Sequence, residues 1–289
     1  MHTDAFLGEL ADVFGGDPRV ADAPVDRRFA PVADDVQGWT TENGMALLNL
    51  AGRHLADGEA YLEVGTFKGR SLCGAAHGAR RGVFYGVENF REFFMDDPGA
   101  KPELLANLAR WTGNDGADGA AGRVRLLEAD AFDLLAKPGA VPEPVGVYFY
   151  DGAHERLSHY LALGVAEQHL ADEALVLVDD ASWPLVAAAT RRYLRRHRGY
   201  ELLLDLAAQH EDDPRWHNGV WVLRYRRPPG AARGMTFDVR WRLVLHQRVV
   251  RPAMTWAWRF FPRHPRLARL AMRVVPQTSK NVPARQGSA

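Results

Sequence analysis

The chain has 289 residues, of which 47% are hydrophobic and 25% are charged, with 36 Lys and Arg balanced by 36 Asp and Glu. This length and composition indicate a globular protein with one large α/β domain and additional segments. The single cysteine, Cys73, excludes an internal disulfide, and the first residues lack the basic and apolar regions of a signal peptide. No apolar run is long enough to span a bilayer, so we expect a cytoplasmic protein.

The charges are unevenly distributed along the chain. Residues 229–289 contain 12 Lys and Arg and one acid, Asp238, which leaves 24 basic and 35 acidic residues in the rest of the chain. The formal charges of these two parts are therefore +11 and −11. This asymmetry predicts that the basic segment contacts an acidic surface, either on its own chain or on a second subunit.

Residues 1–57 predict a helical cap on the domain that follows them. Residues 1–38 mix short helical patterns with Asp, Pro and Gly and contain no motif. Thr40 or Thr41 is a candidate N-cap, because apolar residues follow at helical spacing. We expect this helix to pack beside the first strand, where it could close over a cleft.

Residues 58–228 alternate apolar runs with helical patterns, which is typical of a parallel sheet with crossover helices. The predicted strands are 60–64, 83–87, 124–127, 145–150, 175–178, 200–206 and 219–225, and the predicted helices include 102–111, 157–170 and 185–196. The last two strands are joined by a short loop, which predicts an antiparallel hairpin. Residues 113–122 predict a flexible surface loop.

A glycine turn follows the first strand. Gly65 and Gly69 lack a Cβ atom, so a ligand can approach the backbone and positive φ angles are tolerated. The free N–H groups at the start of the next helix favour an anionic or electron-rich ligand group. The spacing Glu63-x-Gly65-x-x-x-Gly69 does not fit the dinucleotide fingerprint Gly-x-Gly-x-x-Gly. A purely structural turn is the alternative.

Each of the first five predicted strands has a carboxylate at or near its end. These residues are Glu63, Glu88, Asp130, Asp151, Asp179 and Asp180. In an open parallel sheet, ligands bind beyond the carboxyl ends of the strands. We therefore expect these carboxylates to line one cleft.

Together these motifs resemble class I S-adenosylmethionine (SAM)-dependent methyltransferases. The segments Asp151-Gly-Ala-His154 and Asp179-Asp180 narrow the resemblance to metal-dependent O-methyltransferases, especially the macrocin and mycinamicin type that methylates macrolide sugars. The resemblance covers about residues 58–226. It implies an α/β fold with a Rossmann-like, seven-stranded, mostly parallel sheet, an antiparallel last strand and helices on both faces.

The resemblance implies SAM as the cofactor and assigns contacts to it. Gly65 and Gly69 would pass under the methionine part and Glu63 would lie near its amino group. Glu88 would accept hydrogen bonds from the ribose hydroxyls. Asp130 would accept one from the adenine amino group. The full set of implied cofactor contacts is Glu63, Gly65, Thr66, Gly69, Ser71, Glu88, Asp130, Ala131, Phe132 and Asp151. For each acid, the alternative is a solvated loop carboxylate.

Asp151, Asp179 and Asp180 offer hard oxygen ligands that suit Mg²⁺, whereas no Cys/His cluster indicates zinc. A bound cation would lower the pKa of an acceptor hydroxyl. His154 is the candidate general base, and with Asp151 it forms the predicted catalytic pair. Alternatively, His154 bonds the backbone at the start of a helix, and Asp180 or Ser182 caps the following helix.

We therefore predict Mg²⁺-dependent O-methylation of a small molecule or a natural-product sugar. Two alternatives stay open: a methyltransferase without metal that uses His154 alone, and a non-catalytic protein that docks through its basic segment. Nucleic acid is disfavoured as a partner, because the main part of the chain is acidic and lacks an Asn/Asp-Pro-Pro-Tyr/Phe motif. The segment His210–His217, which includes Trp216, is either a lid over the substrate or an ordinary hairpin loop.

Residues 229–289 form a basic, aromatic C-terminal arm whose last residues, 276–289, we expect to be disordered. Pro252, Pro262 and Pro265 are expected to divide the arm into short helices. The arm packs either on its own chain or on a partner subunit, and we expect a homo-oligomer. The alternative is a surface-lying membrane segment within 241–275, because aromatic residues alternate there with arginine. These aromatic residues are Trp256, Trp258, Phe260 and Phe261.

Overall fold

The structure, a computed structural model, describes residues 1–90, 97–113 and 123–260. Seven strands in these ranges form one sheet in the order β3-β2-β1-β4-β5-β7-β6. The strands are β1 Ala60–Val64, β2 Val83–Glu88, β3 Val124–Glu128, β4 Val145–Tyr150, β5 Leu170–Val178, β6 Tyr200–Leu206 and β7 Val220–Arg226. Strands β1 to β5 pair in parallel, whereas β7 is antiparallel to both β5 and β6. The predicted sheet, with its antiparallel last strand, is confirmed.

Helices cover both faces of this sheet. They are α1 Thr3–Phe14, α2 Ala30–Asp35, α3 Glu42–Arg53, α4 Arg70–Ala76, α5 Ala100–Thr112, α6 Ala131–Leu135, α7 Arg156–Ala166, α8 Pro184–Leu194, α9 Phe237–Leu245 and α10 Arg251–Phe260, with a π-helical turn at His246–Val250. Successive residues of a strand point to opposite faces. Tyr61 of β1 therefore lies in the core beneath α1, α3, α4 and α5, and Leu62 lies in the core beneath α6 to α9.

The strand order reverses at β1, whose two neighbours are β2 and β4. Such a switch point is where ligands bind in open α/β sheets. The two strands also meet beyond their ends, because the Asp151 N–H donates a hydrogen bond to the Val64 carbonyl at 2.9 Å. We call this side of the sheet, at the carboxyl ends of β1 to β5, the carboxyl edge.

The N-terminal helices share the core of the sheet. Helix α3 begins at Glu42, and the side chain of its N-cap, Thr41, accepts a hydrogen bond from the Gly44 N–H at 3.1 Å. The buried Asn49 amide of α3 donates to the Gly74 carbonyl of α4 at 3.0 Å. Asn49 thus joins α3 to α4, and at the start of α3 the Thr41 hydroxyl donates to the Arg215 carbonyl, in the loop between β6 and β7, at 2.7 Å.

Strand β5 begins earlier than predicted. It starts at Leu170, so the predicted helix at 157–170 ends sooner, at Ala166. Asp172 and Glu173 interrupt the apolar pattern at the start of β5, which hid this part of the strand. In the structure the Arg227 and Arg226 guanidinium groups pair with these two carboxylates at 2.9 and 3.1 Å.

The C-terminal arm continues through Pro252 without a break, so the prediction that this proline separates two helices is wrong. In the π-helical turn before it, the Arg251 N–H donates to the His246 carbonyl, five residues back. Pro252 has no backbone N–H to donate to the preceding turn. The wider π-helical turn changes the backbone hydrogen bonds at this point and so accommodates the proline.

Some predictions concern residues that the structure does not describe. Residues 114–122 of the predicted surface loop, the segment 261–275 and the predicted disordered end 276–289 lie outside the described residues, as do Phe261 and the side chain of Trp258. In the part of the chain that is described, no helix is long and apolar enough to cross a membrane.

Candidate functional site

Gly65 lies where β1 approaches the loop after β4. Its φ is +90°, and a Cβ atom added there would lie 2.0 Å from the Asp151 carbonyl oxygen. Gly69, also at φ +90°, is the N-cap of α4. Both glycines have the positive φ that the sequence predicts. The space beside Gly65, however, is filled by the Asp151 main chain, so this glycine permits contact between two loops of the protein.

Glu63 is buried beneath the glycine turn. It has no exposed surface, and it accepts hydrogen bonds from the Tyr61 hydroxyl at 2.9 Å and the Ser71 hydroxyl at 2.8 Å. Burial raises the pKa of its carboxyl to about 7, although these two hydrogen bonds oppose the shift. Thr66 is also buried, against Gly86 of β2. Glu63 and Ser71 thus join β1 to the start of α4 from the interior.

Glu88, at the end of β2, organises two turns. One carboxylate oxygen accepts from the Phe67 N–H at 2.9 Å, and the other accepts from the N–H groups of Asn89 at 2.8 Å and Phe90 at 3.1 Å. Phe67 and Phe90 have positive φ angles of 47° and 51°, which are uncommon for residues other than glycine. Strained backbone of this kind is concentrated at functional sites.

Asp130, after β3, caps helix α6. Its Oδ1 accepts from the N–H groups of Phe132 and Asp133, both at 3.0 Å. The guanidinium group of Arg251, on the C-terminal arm, lies 3.4 Å from its Oδ2. Of the two carboxylate oxygens of Asp130, therefore, one caps the helix and the other faces the arm, beside Ala131 and Phe132.

The arm contributes residues to this region that were not predicted. The buried His246 ring contacts the Phe132 ring edge to face, with centroids 4.8 Å apart. Gln247 donates a hydrogen bond to Asp133 at 2.7 Å, and Arg251 donates one to the same carboxylate at 2.9 Å. The opposite charges of the arm and the main part of the chain predicted a contact, but not these partners.

At the ends of β4 and β5, three aspartates and a histidine form an acidic centre: Asp151, His154, Asp179 and Asp180. One ligand atom each from Asp151, His154 and Asp180 lies within 4.8 Å of the others. His154 Nε2 makes a close ion pair with Asp180, and the Asp179 carboxyl interacts with that of Asp151.

The charges in the acidic centre perturb each other. Burial and the neighbouring Asp179 and Asp180 raise the pKa of Asp151 well above its usual range. Burial and Asp180 likewise raise the pKa of Asp179. Burial opposes the charged form of Asp180 too, but His154 and Asn218 outweigh it and lower the Asp180 pKa. Negative charge at Asp151 and Asp179 is therefore incompletely compensated within the protein.

The environment of His154 favours its charged form. Burial lowers its pKa, but Asp180 and Asp179 outweigh this effect, so the pKa is raised. The ring lies 4.9 Å from the Trp183 ring, measured between centroids. The nearby His159 is buried, and this lowers its pKa to about 3, so it is neutral near pH 7. His154 is thus the histidine of this pair that can carry a proton near neutrality.

The capping roles considered for Asp180 and Ser182 are not observed. Helix α8 has Trp183 at its N-cap and no side-chain cap. The Ser182 hydroxyl instead accepts from the Ala208 N–H at 3.0 Å. Asp180 has a positive φ of 53° and accepts a hydrogen bond from the Asn218 amide at 2.8 Å. Asp180 is therefore held in an unfavourable backbone conformation with its carboxylate toward His154.

The acidic centre has the chemistry of a cation site. Its carboxylate oxygens are the ligands that Mg²⁺ prefers, and burial together with the neighbouring carboxylates raises the pKa of Asp151, which a bound cation would oppose. His154 Nε2 adds a nitrogen, which suits transition metals better than Mg²⁺. The donor set therefore fits a divalent cation.

The loop between β6 and β7 is anchored rather than open. Trp216 is 2% exposed, contacts the Phe14 ring and donates its indole N–H to the Pro18 carbonyl at 3.0 Å. The Asp213 carboxylate, 1% exposed, pairs with Arg215 at 3.1 Å. Trp216 thus fixes the predicted lid against the body of the protein, whereas the pair of Asp213 and Arg215 lies within the loop itself.

A pocket lies between this loop and the start of α3, and it reaches the acidic centre at Asp179. Its lining is mostly apolar and includes Leu48 and Val220, with Thr40 and His217 as polar neighbours. The pocket has a volume of about 20 Å³, room for one water molecule, and places apolar side chains beside one carboxylate of the centre.

Comparisons with known proteins identify a domain within the chain. Residues 62–181 match a protein-family model described as a methyltransferase domain. No curated protein matches the chain.

Solved structures share the fold. Cofactor-bound Rv0187 from MTB is 19% identical, with a TM-score of 0.50, and the match covers 78% of this chain and 97% of that one. An O-methyltransferase from Bacillus cereus in complex with SAH is 16% identical (TM-score 0.50; 78% and 100% covered). A Corynebacterium glutamicum protein is 13% identical (TM-score 0.52; 79% and 100% covered). The domain match covers 120 of the 289 residues, and the solved structures show that the chain shares their fold.

Proposed function

We propose that this protein transfers the methyl group of SAM to a hydroxyl oxygen of a small molecule. The observation that carries the proposal is the acidic centre: His154 is ion-paired with Asp180 beside Asp151, at the carboxyl ends of β4 and β5. A base and hard oxygen ligands are the groups that transfer to a hydroxyl requires. Structures of similar fold include a protein described as an O-methyltransferase, which is consistent with this choice.

The cofactor would lie along the carboxyl edge. Glu88 would bind the ribose, but three backbone N–H groups already use most of its roughly four acceptor sites, so a diol would displace at least one. Asp130 Oδ2 would accept from the adenine amino group next to Phe132. Gly65, Thr66, Gly69 and Ser71 would shape the turn at the methionine part. Glu63, which is fully buried, would act through Ser71.

Asp151, Asp179 and Asp180 would hold a divalent cation, with Mg²⁺ the ion that their oxygen atoms suit best. The cation would supply positive charge that lowers the pKa of the acceptor hydroxyl. Without it, burial and the neighbouring carboxylates raise the pKa values of Asp151 and Asp179 and so disfavour their charged forms.

In its neutral form, His154 would receive the hydroxyl proton at Nδ1, because its Nε2 is paired with Asp180. Asp180 would hold the ring and stabilise the imidazolium. The sulfonium carbon is already electrophilic. The remaining contribution of the protein is therefore to align the oxygen, the methyl carbon and the sulfur and to exclude water. The acceptor, for which the resemblance suggests a natural-product sugar, would have to widen the apolar pocket at Asp179, whose volume of about 20 Å³ holds one water molecule.

The first test is calorimetric titration of SAM into the wild type and Glu88→Ala, with Mg²⁺ or with EDTA. Glu128→Ala is the matched control, because Glu128 pairs with Glu88 in register at the end of β3 but bonds Lys101 at the surface. We expect binding by the wild type and the control, and a large loss in Glu88→Ala. No binding by the wild type under any condition would refute the proposal. Mass spectrometry with hydroxylated acceptors then tests methyl transfer.

A further inference from the structure

The C-terminal arm exposes large apolar side chains along one side. The exposed fractions are 86% for Phe237, 58% for Trp241, 42% for Val244, 56% for Val249 and 61% for Trp256. We call these five residues the outer face of the arm. An exposed apolar cluster of this kind on a folded protein marks an interaction surface.

The opposite side of the arm is fixed to the protein. Val239 and Leu243 are buried, and a Cβ atom added to Gly164 of α7 would lie 2.6 Å from a Val239 methyl group. Tyr160 of α7 donates a hydrogen bond to Asp238 of α9. The outer face therefore points away from the protein because the inner side is already packed.

Arginine residues lie among the apolar side chains of the outer face. Arg240 and Arg248 are exposed, between Phe237 and Val249. The whole segment 229–289 carries 12 basic residues and one acid. Aromatic and aliphatic side chains interleaved with arginine are typical of helices that lie on a membrane surface, with the apolar groups in the headgroup region.

We propose that the outer face of the arm binds an anionic phospholipid surface. The aromatic rings of Trp241 and Trp256 would enter the interface, and Arg240 and Arg248 would contact the lipid phosphates. Symmetric pairing of two copies through this face would place the arginines of both copies in one interface, and repulsion between like charges disfavours that arrangement. The inference rests on exposure and charge and is independent of the proposed methyl transfer.

The test is co-sedimentation of the full-length protein with vesicles of phosphatidylcholine alone and of phosphatidylcholine with phosphatidylserine. The test variant is Trp241→Ser/Trp256→Ser. The matched control is Trp39→Ser/Leu202→Ser, which also removes two exposed apolar side chains, 53% and 45% exposed, but elsewhere on the protein. Circular dichroism of each variant checks that it is folded.

We expect binding to phosphatidylserine vesicles that is about tenfold weaker in the test variant and unchanged in the control. Replacing Arg240 or Arg248 by Gln should weaken binding about fivefold for each residue, and added salt should act in the same direction. Equal binding of the test variant and the wild type, or no binding to anionic vesicles, would overturn the proposal. A third result would also overturn it: light scattering shows that the wild type is a dimer, the test variant is a monomer, and neither binds vesicles. The partner of the outer face would then be a second copy of the chain.

Discussion

The guanidinium group of Arg251 lies 3.4 Å from the Asp130 carboxylate, although 121 positions separate these residues in the chain. Asp130 Oδ1 caps α6, so the oxygen near Arg251 is the one left for an adenine amino group. The C-terminal arm therefore reaches the proposed cofactor site, and the same Arg251 also bonds Asp133. The arm and the cofactor would share one carboxylate.

This contact predicts that Arg251→Ala binds SAM more tightly than the wild type does. The guanidinium group and the adenine amino group would both donate to the same oxygen, so they compete for it. SAM also carries a positive charge, which the guanidinium group repels. The effect should not exceed about fivefold, because a partly exposed ion pair contributes little. Calorimetry measures the affinity. Arg233→Ala is the control, since Arg233 pairs with Asp172 at 2.9 Å, away from α6. Weaker binding by Arg251→Ala would mean that Arg251 helps to build the site.

Gly65→Ala should strongly destabilise the protein. The new methyl group would meet the Asp151 carbonyl at 2.0 Å, and φ is +90°. Gly78→Ala separates the two causes, because Gly78 has a φ of +67° and no atom within 4 Å of an added Cβ. We expect a loss of about 1 kcal/mol for Gly78→Ala and of more than about 3 kcal/mol for Gly65→Ala in urea unfolding. Equal losses would show that strain alone, and not the Asp151 contact, makes Gly65 necessary.

Glu63 should make the folded state less stable as the pH rises. Its pKa is raised from 4.5 to about 7 in the folded protein, so between these values the folded state holds a proton that the unfolded chain has released. The free energy of unfolding therefore falls as the pH rises through this window, by on the order of 3 kcal/mol for this group, and changes no further above it. Glu63→Gln should reduce the slope between pH 4.5 and 7, measured by urea unfolding at several pH values. An unchanged slope, equal to that of Glu128→Gln, would contradict this.

The positions of the strands and of their terminal carboxylates could be predicted because each depends on local sequence. The apolar runs that end at Glu88 and Asp151 are visible in the sequence without knowledge of the neighbouring strands. Parallel pairing then brings the carboxyl ends of the strands to one edge of the sheet. The contact of Arg251 with Asp130 could not be predicted in this way. It depends on how the arm packs against α7 and on the π-helical turn, and both are tertiary effects. The start of β5 was missed for a related reason, since distant arginines compensate Asp172 and Glu173.

The roles of single residues at the site were less predictable than their positions. Trp216 is an aromatic residue of the kind expected in a lid over a substrate, but its ring packs against Phe14 in the core. Glu63 ends up fully buried because Tyr61 and Ser71 satisfy its carboxylate from the same side. In each case the sequence gives the chemical group, whereas the packing of distant segments decides which way it faces.

Asp179→Asn should separate stability from activity. Burial and the neighbouring Asp180 raise the pKa of Asp179 in the folded protein. Above the pKa of this group in the unfolded chain, folding therefore costs free energy, because the buried carboxyl must either take up a proton or stay charged. The amide removes this cost, and metal-free Asp179→Asn should therefore be more stable than the wild type near pH 7. The same change removes one proposed cation ligand, so methyl transfer and its dependence on Mg²⁺ should be lost while SAM binding persists.

Thermal unfolding with EDTA and with Mg²⁺ tests both parts. The wild type should gain stability from Mg²⁺ by mass action, because the ion binds the folded state alone, and Asp179→Asn should gain much less. Asp172→Asn, which changes an exposed carboxylate paired with Arg227, is the control and should respond like the wild type. If Asp179→Asn keeps both full activity and the full Mg²⁺ response, the cation is not held at Asp179. If it loses activity but Mg²⁺ stabilises neither protein, Asp179 serves the acceptor hydroxyl directly and the metal assignment fails.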